Sequence, residues 1–191
     1  EDWAEAETAA ARALDLAAAD SDNLPDVDLQ LETALVGARA ARKRERLEAA
    51  LLFLGAALDL DSSHAEALEA YGELHFERGD LVAARSALEA RLAAGPDKRR
   101  AEHLTLLASV LELQGDAARA LERFREAVAD DPSNSAGHAG MARLCEQAGR
   151  ADEAIDALEQ GATTAQQTGN AAGCAERLLR AAEIEIAHAR P

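Results

Sequence analysis

Residues 65–98 read AEALEAYGELHFERGDLVAARSALEARLAAGPDK, and this stretch decides the fold because it returns twice more in register. Residues 101–134 and 135–168 align beneath it at a spacing near 34 residues. The eighth position of each copy is small (Gly72, Ala108, Ala142) and the fifteenth is Gly (Gly79, Gly115, Gly149). The twentieth is Ala (Ala84, Ala120, Ala154) and the twenty-fourth is Leu or Phe (Leu88, Phe124, Leu158). A fixed period of this length means stacked supersecondary units, since one unit alone cannot bury its apolar face.

Each copy reads as two helices. Leu68, Tyr71, Leu74 and His75 share one helical face, and Gly79-Asp80 ends that helix. Leu81, Ala84, Ala87 and Leu88 form the apolar face of the next, which Gly95-Pro96-Asp97 stops. Leu104, Leu107 and Leu111, then Gly115-Asp116, then Ala120, Phe124 and Ala127 repeat the scheme. Asp131-Pro132-Ser133-Asn134 closes that copy, and His138, Met141 and Cys145 open the apolar face of the third. Arg99 and Arg100 form a two-residue insertion between the first two copies.

Composition agrees with packed helices. The 191 residues are 48% hydrophobic but only 3% aromatic, and they are rich in Ala, the strongest helix former. Two Lys among twenty basic residues, with the Ala bias, point to a GC-rich bacterial source. The net charge of −16 repels phosphate backbones and anionic lipid, so nucleic acid is excluded as a partner and basic protein segments are favoured. No apolar run approaches the roughly 20 residues that span a bilayer, and no signal peptide opens the chain. The expected location is the cytoplasm, with the periplasm left open. Cys145 falls on the partner-facing side of its helix and reads as a buried thiol rather than half of a disulfide with Cys174.

These copies resemble the tetratricopeptide repeat. That family places large apolar residues at positions 4, 7, 11, 17 and 24, small ones at 8, 20 and 27, and often Pro at 32. Pro96 and Pro132 fall on position 32, and Tyr71 and Gly72 match positions 7 and 8. Residues 31–64 fit as a divergent copy through Ala38, Leu47, Ala50, Leu54 and Ala57, with Glu45-Arg46 where Gly-Asp is usual. Residues 1–20 read as the second helix of a partial repeat, with Trp3 at position 17 and Ala6 at position 20. Residues 21–30 read as an inter-repeat insertion, and 171–189 as a capping helix or the first helix of a further repeat. Half a repeat at each end is the pattern of a fragment of a longer bacterial array. The resemblance implies an all-α, right-handed superhelical solenoid of antiparallel helix-turn-helix repeats.

Catalysis finds no support in the residues. The five histidines have no pair at i, i+3 or i+4, so no zinc spacing arises, and no phosphate-cradling loop or other cofactor motif is present. His75 and His138 occupy core positions and read as packed side chains.

In the resembled family the first helices line a concave groove through positions 2, 5, 9, 12 and 13. In 65–98 these are Glu66, Glu69, Glu73, Phe76 and Glu77, four carboxylates and an aromatic anchor suited to a basic segment. In 101–134 they include Thr105, Glu112 and Leu113, and in 135–168 Ala136, Ala139 and Arg143. In 31–64 they include Arg39, Arg42 and Lys43, which with Arg44 and Arg46 make the one basic cluster, open either to an acidic partner or to neighbouring glutamates. Chaperone-tail binding is not implied, because the Lys/Arg-and-Asn set that holds such a carboxylate is missing. The expectation is a non-catalytic interaction scaffold without cofactor or metal. Its partner would be a helix, a peptide, or a folded protein such as a small GTPase or a secretion or motility component. A structural spacer, a self-assembly module and a regulatory domain of an attached enzyme or transcription regulator are the alternatives.

Overall fold

The computed structural model describes residues 2–19, 26–95 and 97–188. Among them are ten helices and no strand. They are α1 (Trp3–Ala19), α2 (Val27–Lys43), α3 (Leu47–Leu60), α4 (Ala65–Glu77), α5 (Leu81–Ala93), α6 (Arg100–Leu113), α7 (Ala117–Asp130), α8 (Ser135–Gln147), α9 (Ala151–Gln167) and α10 (Ala171–His188). The chain divides into two compact units, residues 1–96 holding α1–α5 and residues 97–191 holding α6–α10. Within each unit every helix packs on its sequence neighbours, and in the second unit α6 also touches α8. The fold is therefore all-α and built from antiparallel hairpins, α2–α3 and α4–α5 in one unit, α6–α7 and α8–α9 in the other.

The repeated small and large positions are what the hairpins bury. Ala84, Ala120 and Ala154 are fully buried, and so are Leu88 and, within a percent, Phe124. Small residues let the paired helices approach closely. A methyl group at Gly72 would lie 3.1 Å from Leu88, and one at Gly37 would lie 2.6 Å from the Phe53 ring. Gly140 presses on the Phe124 ring in the same way. His75 and His138 are buried, as their positions imply. His138 donates through Nε2 to the Pro132 carbonyl at 3.0 Å, which ties α8 to the loop before it. His103, which the sequence did not single out, is also buried, with Nδ1 2.7 Å from the Asp97 carboxylate. Cys145 is a buried free thiol, and burial raises its pKa so that it stays protonated and behaves as a small core group.

The turns explain the regular copies and the divergent one. Gly79, Gly115 and Gly149 hold φ of 78°, 83° and 71°, a left-handed conformation natural to Gly at a helix C-terminus. In the first two the next residue caps the following helix: Asp80 accepts from the Ala83 amide and Asp116 from the Arg119 amide. The α2–α3 turn places Glu45 at φ 58°, the sole non-Gly residue with positive φ among those described, and Arg46 follows it without a side-chain cap. Between hairpins, Asp61 and Asp131 accept from the amides two residues on, at 2.9 and 2.8 Å, forming the same small turn before α4 and α8.

The helix boundaries adjust the reading of the ends. α2 begins at Val27, inside the segment read as an insertion, and the remainder of that segment, residues 21–25, lies outside the described residues. Arg99 and Arg100, read as an insertion, are the N-cap and first residue of α6.

Candidate functional site

The first helices of the hairpins carry almost all the residues singled out by sequence, and the structure joins many of them in pairs. In the first unit α2 and α4 lie with their polar faces together. Arg39 Nε donates to Glu66 at 2.7 Å, Arg42 donates to Glu73 at 2.9 Å, and its other amino group donates to Glu77 at 3.2 Å. The bond to Glu73 holds the Arg42 guanidinium above its ordinary value. Arg44 and Arg46 turn instead to α1, where they hold the buried Glu7 at 2.7 and 2.5 Å. The basic cluster thus meets carboxylates of its own unit, including three of the four expected to attract a basic partner. Glu69 is half-buried, Phe76 is half-buried rather than fully offered to solvent, and Lys43 is exposed.

The second unit repeats the device on α6, α8 and α10. Arg143 grips Glu112 through two bonds of 2.7 and 2.6 Å, and Arg180 grips Glu146 through two of 2.8 and 2.9 Å. Bonding to Glu112 raises the Arg143 value, as bonding to Glu183 and Glu146 raises that of Arg180. Half-exposed pairs of this kind contribute about 0.2–1 kcal/mol each, so they set the register of neighbouring helices more than they stabilise the fold. Thr105 is consumed structurally: its hydroxyl accepts from the Asn134 side chain at 2.8 Å, while that side chain caps α8 through the Gly137 amide. Leu113 stands 63% exposed at the end of α6.

The second unit also holds a cleft beside the small first-helix residues of α8, with α10 as its other wall. It encloses about 360 Å³ between α8 and α10, over Ala139, Ala142, Leu158 and Ile184, with Arg143, Glu146, Arg177 and Arg180 on its walls. Arg177 donates to the Gly173 carbonyl at 2.7 Å and to the Ser135 hydroxyl, while its buried Nε has no hydrogen-bond partner. That nitrogen is sealed from solvent beside Gly161 of α9, so it is not offered to the cleft. Sequence reasoning placed Ala139, Arg143 and Glu146 of this group on the groove face but not Arg177 or Arg180, because α10 read as a capping helix or the first helix of a further repeat. The available signal was the pair Arg177 and Arg180, three residues apart on a helix capped by Asn170 just as Asn134 caps α8.

Among the described residues no group of three His, Cys, Asp or Glu side chains converges to hold a metal. No helix among them is long and apolar enough to cross a membrane.

Two family models, each described as tetratricopeptide repeat, match residues 35–99 and 111–184. Comparison with curated proteins gives no match. Among solved structures, the crystal structure of MamA is similar with a TM-score of 0.71 at 20% identity, covering 87% of this chain and 92% of that one. YrrB, described as a TPR protein with an unusual peptide-binding site, aligns with a TM-score of 0.59 at 24% identity over 82% of this chain and 87% of its own. A chain of the APC/C hetero-tetramer Cut9-Hcn1 aligns with a TM-score of 0.63 at 14% identity, over 79% of this chain and 30% of that one. At these identities the likeness is one of fold.

Proposed function

We propose that this chain, which belongs to the tetratricopeptide-repeat family, is a non-catalytic protein-interaction scaffold whose second unit receives a segment of a partner in the α8–α10 cleft. The observation that carries this reading is the cleft itself: an apolar floor of Ala139, Ala142, Leu158 and Ile184 bordered by the half-exposed Arg143 and Arg180. A short apolar side chain would fill the floor, and the half-exposed Arg143 and Arg180 would face polar groups of the same segment. Helices held on rigid neighbours present such a surface already formed, so little ordering of the scaffold opposes binding. The fold agrees with a protein or peptide partner in general, and the peptide-binding site described for YrrB lies in a protein of the same kind.

The acidic face of α4 is the weaker candidate. Glu66, Glu73 and Glu77 already satisfy Arg39 and Arg42, so a basic segment there would have to displace existing pairs.

A peptide-display selection against the wild-type chain tests the proposal. Ala139 is exposed on the cleft floor, so Ala139→Arg fills the space without touching the core. Selected peptides should lose affinity by about tenfold or more in that variant, a change of about 1.4 kcal/mol, while helical content and melting temperature stay the same. Peptides that bind Ala139→Arg undiminished would place recognition elsewhere.

A further inference from the structure

Two arginines of α10 cross the cleft to α8, and they are held in opposite ways. Arg177 donates to the hydroxyl of Ser135, the first residue of α8, and to the Gly173 carbonyl of its own helix at 2.7 Å. Glycines make room for its stem and its head. A methyl group at Gly161 of α9 would lie 3.1 Å from Arg177 Cδ and Nε, and one at Gly173 would lie 2.9 Å from its amino group. A side chain packed this closely, with Nε shut off from solvent, has one position. Arg177 is the fixed end of the cleft.

Arg180 reaches Glu146, toward the other end of α8, and donates one amino group to both carboxylate oxygens at 2.8 and 2.9 Å. Its other amino group donates to Glu183 of its own helix at 2.9 Å. All three side chains are exposed, whereas Ala142, Leu158 and Ile184 on the floor are buried. The Arg180–Glu146 bond therefore passes on the solvent side of the floor, between it and an incoming segment. Arg143 is committed the other way, to Glu112 on α6.

The bond to Glu146 has a ready replacement. Glu183 stands three residues after Arg180, and this protein completes that spacing as a pair elsewhere. Arg123 spreads one amino group over both oxygens of Glu126, and Arg150 does the same with Glu153. With Glu146 released, Glu183 can take the Arg180 head in the same manner, and Glu146 is left in water rather than buried. The guanidinium keeps a partner throughout. The two arrangements thus differ by one exposed ion pair, which is at most about fivefold in population.

We infer that Arg180 is a movable strap over the cleft: bonded to Glu146 it narrows the mouth, and drawn back onto Glu183 it uncovers the floor of Ala139, Ala142, Leu158 and Ile184. This rests on the reading of the cleft as the binding site and adds a control to it. Only the open arrangement admits a segment, so apparent affinity follows the fraction of chains in which Arg180 has left Glu146. The two carboxylates compete for one guanidinium and act on binding in opposite directions.

Titration calorimetry of a display-selected peptide against the full chain reads this control. Glu146→Gln removes the charge that holds the strap shut, and affinity should rise by about two- to fivefold. Glu183→Gln removes the charge that draws the strap back, and affinity should fall by a similar factor. Arg180→Met has no strap, so adding either Glu substitution to it should change nothing further. All three positions are exposed, so each variant should stay folded, as helical circular dichroism checks. If both Glu variants move affinity in the same direction, or neither moves it, while Ala139→Arg still weakens binding, the strap is overturned and the cleft stands. Glu effects of full size in the Arg180→Met background would also overturn it, since they would be direct attraction or repulsion of the peptide. A peptide indifferent to Ala139→Arg would remove the binding site, and the strap with it.

Discussion

The first-helix faces of α4 and α8 share one framework and differ at all five groove positions, two of which set how far the face is filled. On α4 the fifth and twelfth positions are Glu69 and Phe76, both half-buried; on α8 they are Ala139 and Glu146, both exposed. The first pair occupies the face. The second leaves an apolar floor of Ala139, Ala142, Leu158 and Ile184 that Arg143, Arg177 and Arg180 border without covering. The Arg–Glu ladder is present in both units and so does not distinguish them. Side-chain size at two positions of a common helix does, which is how a repeat keeps its fold and varies its surface.

The comparison can be broken most forcefully beneath the faces. Phe124 is 1% exposed and Phe53 8% exposed, and each ring fills the space against a Gly of the facing first helix. Phe124→Ala should cost about 3–5 kcal/mol, with Phe53→Ala at or below the lower end of that range. Chemical denaturation followed by helical circular dichroism measures both. Equal and small losses would show that the two rings do not support their faces as described.

A smaller effect tests the turns. Glu45 holds the left-handed conformation that Gly79, Gly115 and Gly149 hold in the other hairpins. Glu45→Gly removes side-chain strain there and should raise stability by about 0.5–1 kcal/mol, after the entropy a Gly adds to the unfolded chain is discounted. The matching change in the second unit, Gly149→Glu, should lower stability by a similar amount. A melting temperature that falls for Glu45→Gly would mean that its side chain makes a contact worth more than the strain.

Much of the fold was legible because it rests on local chemistry. Gly79, Gly115 and Gly149 marked the hairpin turns, and the Ala and Leu periodicity marked the faces that pack. The divergent Glu45-Arg46 turn was also visible as a departure, and its backbone bears the departure out. The candidate site was less legible, because it depends on which helices come side by side. Arg42 and Glu73 are thirty-one residues apart, and nothing local says that one will neutralise the other. The same holds for the cleft, which needs α10 beside α8. Residues 171–189 read as a cap or as the first helix of a further repeat, so the signal in Arg177 and Arg180 was not used to place them as wall residues. Gly37 and Gly140 escaped notice for a related reason: each stands one or two positions from the small residue of the pattern, and only the facing Phe ring reveals its purpose.

The most direct test of the account is a hydrogen-exchange footprint of the full chain with and without a display-selected peptide. Slowed exchange confined to α8 and α10, absent in Ala139→Arg, is the result this reading requires. Protection concentrated on α2 and α4, with α8 and α10 unchanged, would contradict it and return the binding face to the paired charges of the first unit.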